Sequence, residues 1–182
     1  MPNWCAGSIR FRGKLADIFN LLRNELKYCY YGDDRKTHII DIFDYDFDES
    51  FDPDECSLTI WHPRLPEFDS NRTGWWHWNN TQRAFLDGEE EFGEIYAKFY
   101  EHPKPSELYT VFVDGFRQAW SIVPEDFIEY SRKYGVDIAL FGWECGMQFH
   151  QHIEIVDGEI TRNDREEYKD LYWESARPFV GG

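Results

Sequence analysis

The sequence predicts an α+β protein, a mainly antiparallel sheet with helices packed on one face. Three observations carry that reading. "SIRFRG" and "THIIDIFDYDF" alternate polar and apolar residues with the period of a strand, while "KLADIFNLLRNELK" and "PEDFIEYSRKYG" space their apolar residues as a helix does. Asp157-Gly158 then marks a hairpin turn inside "HIEIVDGEIT". The 182 residues suit one well-buried domain, and the order βαββ, helix, βαββ suggests two similar sheet-plus-helix halves, about residues 1–85 and 86–182.

The elements follow in order. "SIRFRG" is a strand stopped by Gly13, and the helix after it places Leu15, Ile18, Leu22 and Leu26 on one face. "THIIDIFDYDF" returns as a strand with Phe43, Tyr45 and Phe47 on one face and Asp44, Asp46 and Asp48 on the other. "SLTIWH" is a third strand, followed by a loop rich in breakers. "GEEEFGEIYAKFYEH" reads as a short helix with acids in its first turn, where the helix dipole favours them. "ELYTVFVDGF" is a strand, and the next helix runs from Pro124 to a Gly135 stop. "VDIALFGWECGMQFHQHIEIVDGEIT" supplies two or three further strands, and "REEYKDLYWESA" is expected to close the chain as a helix.

Aromatic residues make up 19% of the chain and hydrophobic residues 42%, enough to build a core beneath an acidic surface. The formal charge is −16, from 35 Asp and Glu against 19 Lys and Arg. That sign repels nucleic acid and anionic membranes, so basic proteins, cations or neutral molecules are the expected partners. The N-terminal stretch has no signal-peptide pattern and no run is apolar enough for a membrane span, which points to a cytoplasmic location. No C-x-x-C pair occurs among the four cysteines, and no cofactor is expected.

Residues 41–55, "DIFDYDFDESFDPDE", hold eight carboxylates and no positive charge. Asp44, Asp46, Asp48, Asp52 and Glu55 fall at positions 1, 3, 5, 9 and 12 of an EF-hand loop, but position 6, which needs Gly, is Glu49, and a strand rather than a helix leads in. Carboxylates at alternate strand positions repeat about every 6.6 Å, on the order of the spacing of phosphates along a nucleic-acid strand. Asp44, Asp46, Asp48 and Asp52 are therefore candidate partner-binding residues, with Phe51 or Trp76 as an apolar anchor beside them.

Two other candidates carry less. "HQHIE" places His150, His152 and Glu154 on one strand face about 7 Å apart, a spacing that suits divalent metal chelation but offers no fixed fourth ligand. Nucleophilic catalysis has no G-x-S-x-G elbow, P-loop or G-x-G-x-x-G to support it, and Cys145 has Glu144 rather than a cation beside it. Trp4, Trp120 and Trp143 are expected to fill space between helices and sheet, whereas Trp75, Trp76 and Trp78 are too close together for all three to face one core.

Three stretches together resemble the YubB-like family of plasmid and phage proteins. They are the opening "PNWC", the Trp-rich "TGWWHWNNTQ", and "FRQAWSIVPEDFIEYSRKYGVDIALFGWECGMQFHQHIEIVDGEI", which holds Ala119-Trp120-Ser121, Pro124, Tyr134-Gly135, Glu144, Gly146 and Phe149 in the family's order. The chain departs from the pattern at Ala6-Gly7 and at His150-Gln151. The resemblance implies a ferredoxin-like sheet and a mobile-element accessory protein, without a defined activity. Joined to the charge, it suggests a non-enzymatic protein that binds a basic host protein, in the manner of a nucleic-acid mimic. The alternative is a divalent-metal-binding protein or metal-dependent enzyme using the His-x-His-x-Glu strand or the acidic loop.

Overall fold

Nine strands alternate with three helices in the computed structural model, which describes residues 3–31, 37–40, 74–87 and 108–181. The strands are β1 (Trp4–Lys14), β2 (Leu26–Tyr31), β3 (Thr37–Ile40), β4 (Gly74–Trp78), β5 (Ala84–Asp87), β6 (Leu108–Ala119), β7 (Asp137–Glu144), β8 (Phe149–Val156) and β9 (Glu159–Glu167). The helices are α1 (Leu15–Glu25), α2 (Glu125–Tyr134) and the single turn α3 (Leu171–Glu174). All nine strands form one sheet in the order β3-β2-β4-β5-β6-β1-β7-β8-β9, and every neighbouring pair is antiparallel.

This overturns the expected α+β, ferredoxin-like arrangement. Strand dominates the described chain: β1 and β6 run 11 and 12 residues, against 11, 10 and 4 for the helices. The β4–β5 hairpin separates β2 from β6, and β8 and β9 extend the opposite side. Among the described residues the helices are too few to form a layer. The first strand also lies between β6 and β7 of the later chain.

Local chemistry explains the elements. On β7 and β8 burial alternates strictly along the strand, the period that turns Ile138 and Leu140 to one face and Phe141 and Trp143 to the other. Helix α2 begins after Pro124, carries Glu125 and Asp126 in its first turn and Arg132 and Lys133 in its last, and stops at Gly135 in a left-handed conformation, φ 63°. Asp157 and Gly158 both take positive φ and close the β8–β9 hairpin. The expected closing helix "REEYKDLYWESA" shrinks to four residues, because Arg165 to Glu167 continue β9 instead.

One face of the sheet is covered. Trp78 packs against Phe11, Phe127 and Tyr130, with ring centroids 5.8 to 6.1 Å apart, and Phe116 lies 5.9 Å from Phe127. Ile18, Leu21 and Leu22 of α1 join the same core. Several of its polar groups are engaged, although among the described residues the buried Trp78 Nε1 has no hydrogen-bond partner. Gln151 accepts from the Ile122 N–H at 2.8 Å and donates to the Ile122 carbonyl at 3.3 Å. Asp126 accepts from Gln82 N–H and Gln118 Nε2, fastening α2 to the β4–β5 turn. Buried Glu25 at the end of α1 accepts from Lys133 Nζ at 2.8 Å and Tyr134 Oη at 2.7 Å. At Gly7 the backbones of β1 and β7 come so close that a Cβ would lie 2.0 Å from the Phe141 carbonyl oxygen.

Candidate functional site

Among the described residues no helix lies over the opposite face, and its rows of side chains follow from strand register. Across β6, β1, β7, β8 and β9 one row reads Arg117, Ala6, Trp143, His150, Glu166. The next reads Asp114, Ser8, Phe141, His152, Asp164, and the third Phe112, Arg10, Ala139, Glu154, Arg162. Over β7 to β9 these rows line a groove of about 680 Å³ bounded by Phe141, Trp143, His150, His152, Asp164 and Glu166.

Rings and cations are interleaved here. The Arg10 guanidinium lies over both Phe112 and Phe141, at 5.2 and 4.7 Å from their centroids, bridging three strands. His152 stacks on Phe141 at 3.9 Å and its Nε2 is 2.9 Å from Glu154 Oε1. Arg162 in turn holds Glu154 at 3.5 Å and Asp164 at 2.5 Å. His150 stacks on Trp143, shares a 2.5 Å hydrogen bond between Nδ1 and Tyr168 Oη, and lies 3.6 Å from Glu166. Arg177 reaches over Trp143 from the C-terminal segment. Burial, aided by Arg162, lowers the His152 pKa, and Glu154 and Asp164 oppose the shift. The imidazole is therefore neutral at pH 7.

The residues expected from sequence are distributed unevenly. His150, His152 and Glu154 do share one face, but each is tied to a neighbour from the adjoining strand, and among the described residues no group of three His, Cys, Asp or Glu is placed to hold a metal ion. Asp44, Asp46, Asp48, Phe51 and Asp52 lie outside the described residues. Trp76 is only 3% exposed and sits with Trp78 in the covered core, so it is no surface anchor. The expectation for Trp4, Trp120 and Trp143 is also corrected. Trp4 and Trp143 are half-buried on the open face, and Trp120 is exposed beyond the end of β6 with φ 72°. Among thiols, Cys5 is buried, its pKa pushed up to about 12 mainly by desolvation, and Cys145 donates to the Gly181 carbonyl.

Sequence reasoning missed Arg10, Phe112, Phe141, Asp164, Glu166 and Tyr168. The alternation of "DIALFGWE" was the one local signal for Phe141 and Trp143. No family model matches the chain, and no curated protein or solved structure matches it. No described helix is long and apolar enough to cross a membrane.

Proposed function

We propose that the protein is a non-enzymatic binding protein that engages a basic host protein through its acidic segments, as a cytoplasmic accessory factor of a phage or plasmid. What carries the reading is the uneven placement of charge along the chain. The described residues hold 17 Asp and Glu against 13 Lys and Arg, whereas the remainder hold 18 against 6. Most of that excess falls in residues 41–73 and 88–107. The strand ends that flank these segments and residues 32–36 favour one end of the sheet. Tyr31, Thr37, Gly74, Asp87 and Leu108 all belong to the end where Lys14 passes into α1, by the registers of β2 to β6 and of β6 with β1. Segments this acidic attract a basic surface and repel nucleic acid, and the alternation of Asp44, Asp46 and Asp48 in the sequence supports the reading as a mimic.

The test is capture from host lysate at low and high salt, comparing the wild type with Asp44, Asp46 and Asp48 changed together to Asn. The expected result is salt-sensitive capture of nucleic-acid-binding proteins by the wild type and its loss in the triple variant. Capture that ignores both salt and the substitutions would refute the reading.

A further inference from the structure

We propose that the open face of the sheet is a homodimer interface, covered by a second copy of the chain turned about a two-fold axis along β7. This is independent of the acidic segments. It rests first on how charge divides the face. Over β6 and β1 stand Arg117, Arg10 and Arg12, with Asp114 as the acidic exception among them. Over β7 to β9 stand Asp137, Glu154, Asp164 and Glu166, with Arg162 and the Arg177 that reaches over Trp143 as basic exceptions. A face that is basic on one half and acidic on the other is complementary to itself when rotated.

Register makes the match specific. Rotation about β7 sets β6 against the second copy's β9 and β1 against its β8, because β6 and β9 each stand two strands from β7 and β1 and β8 each stand one. Arg117 then meets Glu166, and Arg10 meets Glu154, each pair occurring twice. Along the axis lie Ala139 and the half-buried Phe141, the least charged part of the face. Arg177 already covers Trp143, so Phe141 is the apolar centre rather than Trp143. The intervening row sets Asp114 against Asp164, a like-charge meeting, and Asp137, which stands on β7 itself, meets its own copy across the axis, a second one, with an Arg12 guanidinium 2.6 Å from each carboxylate.

The extent is adequate. Five strands about 4.8 Å apart and about eight residues long cover roughly 650 Å² of projected face. That is close to the ~800 Å² per partner of a standard interface. Apolar centre and charged margins also match the usual anatomy of such a contact.

Sedimentation velocity over a protein concentration series tests the proposal, with circular dichroism to confirm that each variant is folded. Arg117 and Glu166 are both exposed, so the substitutions spare the core. We expect a reversible dimer at low salt whose dissociation constant rises at least tenfold in Arg117→Glu and in Glu166→Arg, and recovers when the two are combined. Asp114→Lys, which removes the like-charge meeting with Asp164, should tighten it. A monomer at every concentration overturns the proposal. So does a dimer indifferent to both reversals, which would place the contact elsewhere. Binding of a single-stranded oligonucleotide by the wild-type monomer, abolished by Arg117→Glu, would assign the basic half to nucleic acid instead and equally overturn it.

Discussion

The two faces of the sheet are built from the same strands and solve the same problem differently. On the covered face Leu140, Ile153 and Phe116 are shut away from water beneath the helices, and buried polar groups such as Gln151 are locked to the backbone, here to Ile122. On the open face no helix among the described residues supplies that cover. Rings there are shielded by guanidinium and imidazole groups laid over them, which remain half in contact with water. Alternation along a strand is thus enough to give one surface made for permanence and another made for contact.

The comparison breaks most visibly on the covered side. Phe127→Ala removes the ring that joins Trp78, Phe116 and Tyr130, and should cost about 3–5 kcal/mol in chemical denaturation. Retention of near-wild-type stability would mean that α2 is not an integral part of the core. Phe141→Ala on the open side should cost far less, about 1 kcal/mol, because its stacking with Arg10 and His152 is replaced in part by water. A loss equal to that of Phe127→Ala would show that the open face is covered in solution. The smallest effect expected is on pH. His152 has a folded pKa below its unfolded value, so the unfolded chain takes up the proton first, and stability falls as pH drops through and below the ordinary histidine range. His152→Gln should flatten that slope in melts recorded from neutral to mildly acidic pH. An unchanged slope would assign it to other groups, such as His77, whose pKa burial also lowers.

What the sequence disclosed follows the range of the interaction involved. Helix α2, with Pro124 before it and Gly135 after it, and the Asp157-Gly158 turn depend on neighbours a few residues away, and both are visible in the string of residues. The strand order is not, because the pairing of Trp4 with Ala119 or of Ala6 with Trp143 leaves no local trace. Strand β9 was partly read as helix for another reason. Residues 161–167 are exposed on both sides, so this edge carries no apolar alternation to detect. The candidate site divides in the same way. The shared face of His150, His152 and Glu154 follows from a period of two, whereas their partners Tyr168, Asp164 and Arg162 arrive from beyond the hairpin. Residue size misled for Trp4 and Trp143, since bulk says nothing about which face a strand turns to a helix.

The position of β1 sets the timetable of folding. Of the described strands it is the earliest in the chain, yet its two neighbours in the sheet begin at Leu108 and Asp137. At ordinary translation speeds the wait for β7 is on the order of ten seconds. Until β6 has been made, β1, with Ile9 and Phe11 on its apolar side, has neither flanking strand to pair with, and until β7 follows it has one. The sheet can be completed only after most of the chain has been made, so its assembly is a late, long-range event of the kind that makes strand-rich proteins slow to fold and in need of protection during synthesis.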